Sequence, residues 1–353
     1  MYVVEATPRK GLGCIATTKI KLGSLISREK PILYVDPIQR ETDRSKIHNM
    51  NIKMCLTGEA KGQIENVLDI IRVVESFSKL SAADQEEFLN LKDWEEPHEN
   101  VEDSDAFEKH FNMLEKVLNV GLDKLPFDTV KKVARIYKTN THHNGVCLKT
   151  SRFNHACRPN AECFWNRATA TRDIRAIKTI MKGEEITNVY GSECLPKKER
   201  KNFLSKNWNF ECCCETCELK GKDLETDDNR RRKFLQLEKE QEANVGNPEK
   251  ELETIKALYH LGKEIGGVRI MYILDNIVSN GFDAACQGYL NSWKQNVKFL
   301  SAIESFASLG LKLSKILYGD SHPENTLWEM KKANPIQTFL AQDNIENVSG
   351  RPI

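Results

Sequence analysis

The run Cys212-Cys213-Cys214-Glu215-Thr216-Cys217 constrains this chain more than any other stretch, because it gathers four of the eleven cysteines within one short segment. Read as C-x-C-x-x-C, it offers Cys212, Cys214 and Cys217 as three thiolates on a tight turn. Zinc takes four ligands in a tetrahedron and accepts thiolate well. Adjacent side chains of an extended segment point opposite ways, which makes Cys213 a bystander. A fourth ligand must come from elsewhere in the chain. An open fourth position would suit a catalytic zinc, but no H-E-x-x-H or similar ligand set occurs, so one structural zinc is expected. The competing reading is an accidental cysteine run.

The opening MYVVEATPRKGLG lacks the charged and apolar segments of a secretion signal, and no apolar run reaches membrane-spanning length. Without an export signal, cysteines serve as core residues, metal ligands or nucleophiles rather than as disulfides. The expectation is a cytoplasmic or nuclear chain with no membrane partner. Its formal net charge of +1 gives no overall pull toward nucleic acid, and no direct nucleic-acid site is evident. With 353 residues, 40% hydrophobic, the chain can bury a sizeable core and more than one unit.

Residues 1–39 read as short strands punctuated by turns: Tyr2-Val3-Val4, a turn at Lys10-Gly11-Leu12-Gly13, Cys14-Ile15-Ala16, Gly23, Leu25-Ile26-Ser27 and Ile32-Leu33-Tyr34-Val35. Over 40–132 the pattern turns helical. Ile64, Val67, Leu68, Ile71 and Val74 share one face, Ser81 with Asp84 and Gln85 reads as a helix start, and Phe107, Phe111, Leu114 and Leu118 continue the signal beyond an acidic loop over 94–105. Strand and loop character returns near Val133 and runs to 209. Segment 219–232 reads as a charged linker entering a helix, and helical spacing then continues to 353 through Ile255, Leu258, Gly262, Ile265, Trp293, Val297, Leu300, Leu311, Leu313 and Ile316.

Three further clusters carry polar chemistry. In Arg152-Phe153-Asn154-His155-Ala156-Cys157-Arg158-Pro159-Asn160, Cys157 could supply the missing metal ligand, although an Asn-His pair alone is more often structural. In Gly183-Glu184-Glu185-Ile186-Thr187-Asn188-Val189-Tyr190-Gly191, Tyr190 sits at a candidate strand end, where a core aromatic with a satisfied hydroxyl is the plain reading. Gly11-Leu12-Gly13, taken alone, signals a tight turn more often than a cofactor loop.

Together and in this order, these clusters resemble the SET-domain protein-lysine methyltransferases, in particular the SET-and-MYND group with its helical insertion and helical C-terminal region. The matching text is Lys10-Gly11-Leu12-Gly13, then Asn154-His155-Ala156-Cys157-Arg158-Pro159-Asn160 for N-H-S-C-x-P-N. Gly183-Glu184-Glu185-Ile186 with Tyr190-Gly191 follows, then Phe210-Glu211-Cys212 through Cys217 for F-x-C-x-C-x-x-C. The resemblance implies an α+β chain: a β-rich SET fold with a pseudoknot, formed by residues 1–39 and 133–209. A helical insertion over 40–132, a zinc-binding post-SET segment over 210–222 and an all-α region over 230–353 complete it.

By the same resemblance, the chain transfers a methyl group from S-adenosylmethionine to a lysine side chain of a protein, histone or non-histone, and acts as a monomer. It places Lys10, Gly11, Leu12, Gly13, Asn140, Asn154, His155, Tyr190 and Phe210 at the cofactor, with Tyr190 as the catalytic tyrosine. Cys157 joins Cys212, Cys214 and Cys217 on one structural zinc. Three departures stand out: Ala156 replaces the usual serine, the MYND zinc finger is missing with Cys55 alone in the first half, and a tyrosine often found shortly before the GEE-type segment has no counterpart. A catalytically silent scaffold and a zinc-stabilised interaction module without cofactor are the alternatives. Tyr190 and Asn154-His155, which neither alternative requires, favour the enzyme.

Overall fold

The computed structural model describes residues 1–35, 41–42, 45, 58–93, 109, 111–113, 115–116, 125–142, 145–167, 169–191, 193–291 and 297–349. The acidic loop expected over 94–105, together with Cys55, Phe107, Leu114, Leu118 and Trp293, lies outside them.

Among the described residues the strands form three small antiparallel sheets, with β6 and β7 buried on both faces along most of their length. The strands are β1 (Tyr2–Thr7), β2 (Gly11–Ala16), β3 (Leu25–Glu29), β4 (Leu33–Tyr34), β5 (Gly145–Val146), β6 (Ala161–Asn166), β7 (Thr171–Ala176) and β8 (Glu185–Ile186). They pair in the orders β1-β2-β8, β3-β7-β6 and β4-β5. The core between the first two sheets is small-sided: Cys14, Ala16, Ile26, Ala161, Ile174 and Ile186 pack around Phe153. The expected turn at residues 10–13 falls earlier. Thr7 and Gly11 close the β1-β2 hairpin, so the loop is Pro8-Arg9-Lys10, with Arg9 and Gly11 at φ 65° and 74°. Gly11, Leu12 and Gly13 therefore belong to a strand.

Helices interrupt and follow this core. Gly58–Ser78 buries Val67, Leu68, Ile71 and Val74 on the face read from their spacing, and Ser81 caps Ala82–Leu89 by accepting the Asp84 amide. The return to strand character near Val133 is overturned. Val130, Val133, Ile136 and Tyr137 recur at helical spacing and are all buried, so Phe127–Asn140 is one helix that runs past that boundary. The charged linker expected over 219–232 is helical from Gly221, inside Gly221–Ala243: Asp227 and Arg231 are buried on one face with Phe234 and Leu237, while Lys222, Asp223, Glu225 and Arg232 stay exposed.

The remaining described helices are the short turns Thr150–Arg152 and Glu215–Glu218, Lys197–Trp208 where strand and loop character was expected, Pro248–Ile265, Ile270–Tyr272 continuing through a π-turn at Ile273–Val278 into Ser279–Asn291, then Val297–Tyr318, Glu324–Ala333 and Pro335–Ser349. In Val297–Tyr318 the buried face is Phe299, Ala302, Ile303, Phe306, Ala307 and Gly310. The expected positions Val297 and Leu300 face outward, because the buried face is set by small residues at Ala302, Ala307 and Gly310 beside Phe299, Ile303 and Phe306. Gly310 admits the Trp328 ring, which would lie 2.1 Å from an added Cβ. Among the described residues no helix is long and apolar enough to cross a membrane.

Candidate active site and metal centre

Beyond β8 the chain leaves the sheet, so Tyr190 does not sit at a strand end. Residues 187–191 run beside the Asn154-His155 loop instead, with a parallel bridge between His155 and Asn188. The Asn188 amide donates to the Asn154 carbonyl at 2.9 Å, and the Ala156 amide donates to the Asn188 carbonyl at 2.9 Å. Two side chains lock the pair. The Tyr190 hydroxyl donates to the Phe153 carbonyl at 2.8 Å, and the Tyr190 amide donates to Nδ1 of His155 at 3.1 Å.

That second bond fixes the histidine's chemistry. Nδ1 accepts, so the ring proton of the neutral form sits on Nε2, which faces Sγ of Cys157 at 3.4 Å. Burial pushes the His155 imidazole down to about 4, which keeps the ring neutral. Burial also raises the Tyr190 phenol, with the Glu185 carboxylate adding to it, so the hydroxyl keeps its proton at neutral pH. Tyr190 can orient a group but does not serve as a ready base.

Gly13 explains why this part of β2 carries glycine. A Cβ there would stand 2.7 Å from the Asn154 side-chain nitrogen and from the Thr7 methyl, and 2.9 Å from a Glu185 oxygen. The Asn154 amide nitrogen donates to the Leu12 carbonyl at 3.0 Å and to Glu185 at 2.9 Å, leaving its Oδ1 for another partner. Lys10 pairs with the other Glu185 oxygen at 2.6 Å. Glu185 is the hub joining Lys10 to Asn154, a role with no local sequence signal because its partners are far apart in the chain.

Asn140 stands apart. Its side-chain nitrogen donates to the Ile136 and Lys92 carbonyls, at the end of Phe127–Asn140 and within the helical insertion, rather than toward Asn154. Phe210 lies with the site: its ring centroid is 6.0 Å from that of His155 and 6.2 Å from that of Tyr190.

Behind these rings the sulfurs of Cys157, Cys212, Cys214 and Cys217 all lie within 4.8 Å of one another. Cys157 is 3.5 Å from Cys217 and 4.0 Å from Cys212. Four sulfurs at the zinc–thiolate distance would be about 3.8 Å apart at the corners of a tetrahedron, so the donor set fits a zinc ion in both number and spacing. Hydrogen bonds from Cys157, Cys212 and Cys217 lower the Cys214 thiol. Crowded thiolates need a cation to ionise together. The buried Arg200 guanidinium approaches Cys217 at 3.9 Å but is also held by the Leu195 carbonyl. Cys213 is outside the group.

The SET-domain family pattern matches residues 11–191, which include Gly11, Asn154, His155, Cys157 and Tyr190. The chain belongs to the SET-domain family. It is 25% identical over 354 residues to histone-lysine N-methyltransferase set5 of Schizosaccharomyces pombe, spanning 98% of this chain and 91% of that protein. Histone-lysine N-methyltransferase SMYD3 of Homo sapiens matches at 32% over 81 residues, 23% of this chain and 18% of the relative. A looser structural likeness, at a TM-score of 0.30 and 12% identity over 99% of this chain and 87% of the other, is to a crystal structure of the SET domain of LSMT bound to lysine and AdoHcy.

Asn154 thus meets Leu12 and, through Glu185, Lys10, while His155 meets Tyr190, Phe210 and Cys157 of the cysteine quartet.

Proposed function

We propose that this SET-domain chain is a protein-lysine N-methyltransferase acting on a histone in the nucleus, with S-adenosylmethionine as methyl donor and a structural zinc on Cys157, Cys212, Cys214 and Cys217. The observation that carries the reading is the clamp of Tyr190 onto Phe153 and His155, directly beside Asn154 in a chain of this family. When bound, S-adenosylmethionine supplies a methyl group activated by its sulfonium charge.

The residues then have separate tasks. Oδ1 of Asn154, held by the bonds its nitrogen makes to Leu12 and Glu185, accepts from the cofactor's ammonium group. Gly11 and Gly13 let the cofactor approach the β2 backbone, and Phe210 covers the adenine. The substrate amine must reach the methyl carbon unprotonated, because only its free form is nucleophilic. A dry channel beside a positive charge lowers its pKa by desolvation and like-charge repulsion. The Tyr190 phenol, anchored through its proton to the Phe153 carbonyl, has lone pairs left to orient the amine's N–H groups. Bound here, the donor would be left as a neutral thioether once its methyl group is transferred, and the methylated amine would carry the positive charge until it gave one N–H proton to solvent.

The two segments that run side by side at 154–156 and 188–190 are the strands of the SET pseudoknot in this reading. Residues 1–35 and 145–209 form the SET unit, 58–140 the insertion, 210–220 the post-SET segment and 221–349 the tail. Support for a histone substrate comes from the names of the relatives, set5 and SMYD3.

The test is calorimetric titration with S-adenosylmethionine combined with methylation of core histones by wild type and Tyr190→Phe. Tyr190→Phe keeps the ring, so cofactor affinity should persist while turnover falls about 10²-fold or more. Absence of cofactor binding by the wild type would refute the enzyme reading and favour a scaffold. Undiminished turnover in Tyr190→Phe would reduce Tyr190 to a core aromatic.

A further inference from the structure

On the other side of the SET core, where β3 and β7 meet the end of Val297–Tyr318, lies a cleft of about 1030 Å³. None of the residues assigned above to cofactor, catalysis or zinc lines it. Its charge is unbalanced. Arg28 is spoken for, held by both oxygens of the fully buried Asp173 at 2.9 and 2.6 Å. Three other cations face the cleft with a single carboxylate, Asp320: Arg175 from β7, and Lys312 and Lys315 one turn apart on the helix. Lys312 and Lys315 make no ion pair among the described residues, although like charges on one helix face repel.

Arg175 is held open in this cleft by the backbone around it. One of its terminal nitrogens donates to the Gly23 carbonyl at 2.8 Å, while its buried Nε has no partner. Gly319, at φ +93°, leaves room for the guanidinium, which a Cβ at that position would meet at 2.8 Å. An unpartnered buried donor is expensive unless a ligand completes it. Leu22, Leu311 and Ile316 also line the cleft beside the polar Asn166, Thr169 and Ser308, Gly23 packs on the Ile316 backbone, and Leu22 is 48% exposed.

The lining combines three cations facing one carboxylate with aliphatic side chains, which complements a segment bearing both acidic and apolar side chains. We propose that this cleft is a docking site for an acidic, leucine-bearing segment of a protein partner, with its carboxylates on Arg175, Lys312 and Lys315 and its apolar side chains on Leu22 and Ile316. The proposal is independent of the methyl-transfer reading, because binding is measured without turnover.

The probe is a fluorescein-labelled peptide of alternating Glu and Leu, followed by anisotropy with the full chain. It should bind, and more weakly as salt rises. Lys312→Glu combined with Lys315→Glu should weaken it at least about tenfold, while histone methylation persists and exposed Lys239→Glu leaves both unchanged. Should the double variant misfold by near-ultraviolet circular dichroism, Leu22→Glu, at an exposed position on another element, should weaken binding in the same direction. Failure of the wild type to bind the peptide, or equal binding by folded charge-reversal variants, overturns the proposal. So does displacement of the peptide by pyrophosphate or oligouridylate at concentrations below its own, which would make the cleft a phosphate site.

Discussion

Two helical regions are fastened to the same β core by different chemistry. The insertion joins through a continuous apolar cluster, in which Leu33 and Val35 near β4 and Val146 of β5 pack on Val67, Ile71, Phe77, Val133 and Ile136. The tail joins largely through polar groups that meet at the buried Asp227. Arg158, 40% exposed, donates to Asp227 at 3.2 Å and to the Ile265 carbonyl at 2.7 Å, and Arg231, paired with Asp227 at 2.8 Å one turn away on the same helix, reaches the Glu193 carbonyl. Glu162 of β6 accepts the amides of Ile270 and Met271 at 2.6 and 2.9 Å. An apolar joint tolerates small shifts. A joint of buried ions fixes position and direction, at the risk of a large penalty when one partner is lost. The cysteine quartet lies on the polar side of this contrast, because Cys157 and Arg158 are neighbours and Gly267 of the tail packs on the Cys157 carbonyl.

The largest expected effect therefore belongs to the quartet. Cys157→Ser should lose zinc, cofactor affinity and most activity together, because the same loop carries Asn154 and His155. Metal analysis should find one zinc per chain in the wild type and in Cys213→Ser, and substantially less in Cys157→Ser. Stoichiometric zinc in Cys157→Ser with loss in Cys213→Ser would reassign the ligands. Next comes Asp227→Ala, which strands Arg231 and Arg200 at essentially zero exposure. Removing one partner of a buried ion pair costs about 3–5 kcal/mol, to be read from urea unfolding. A cost below about 1 kcal/mol, the range of exposed pairs, would erase the contrast between the two joints.

The same contrast explains what was legible in the sequence. Val67, Leu68, Ile71 and Val74 announce their helix because apolar burial leaves a periodic trace. Asp227, Arg231 and Arg200 leave none: charged residues read as solvated until their partners are known, so residues 219–232 looked like a linker. The site divides in a similar way. Asn154, His155, Tyr190 and the cysteines carry distinctive chemistry within short motifs, and Cys157, Cys212, Cys214 and Cys217 meet in one cluster next to the His155–Tyr190 contact. Glu185 gained its role only when Lys10 and Asn154 met it across the β1-β2-β8 sheet. Asn140, matched in sequence, has its side-chain nitrogen on its own helix and on Lys92.

Ile136→Ala sharpens the apolar half of the comparison. The residue is fully buried in the insertion core, and truncation should cost roughly 3 kcal/mol through lost transfer energy and the cavity left behind. Cofactor affinity should change little, since no site group rests on this side chain. Loss of cofactor binding in a folded Ile136→Ala protein would mean that the insertion shapes the site directly.

The smallest expected effect is Glu162→Gln, and it isolates one contact of the polar joint. Burial pushes the Glu162 carboxyl up to about 7 from an ordinary 4.5, although the Met271 and Ile270 amides and Arg269 pull it down. A folded-state value above the unfolded one means that the folded chain holds the proton more tightly. Its contribution to stability is therefore fully present below about pH 4.5 and is lost as pH rises through about 7. Glutamine cannot ionise, so Glu162→Gln should remove this slope from a plot of unfolding free energy against pH. Its single carbonyl oxygen must serve both the Ile270 and Met271 amides, a loss on the order of 1–2 kcal/mol that offsets the relief at neutral pH. The two proteins should thus differ most in slope and little in stability near pH 7. Identical slopes would show that Glu162 stays ionised when buried, held by the start of the Ile270–Tyr272 helix and by Arg269, and the tail joint would then be ionic at Glu162 as well as at Asp227.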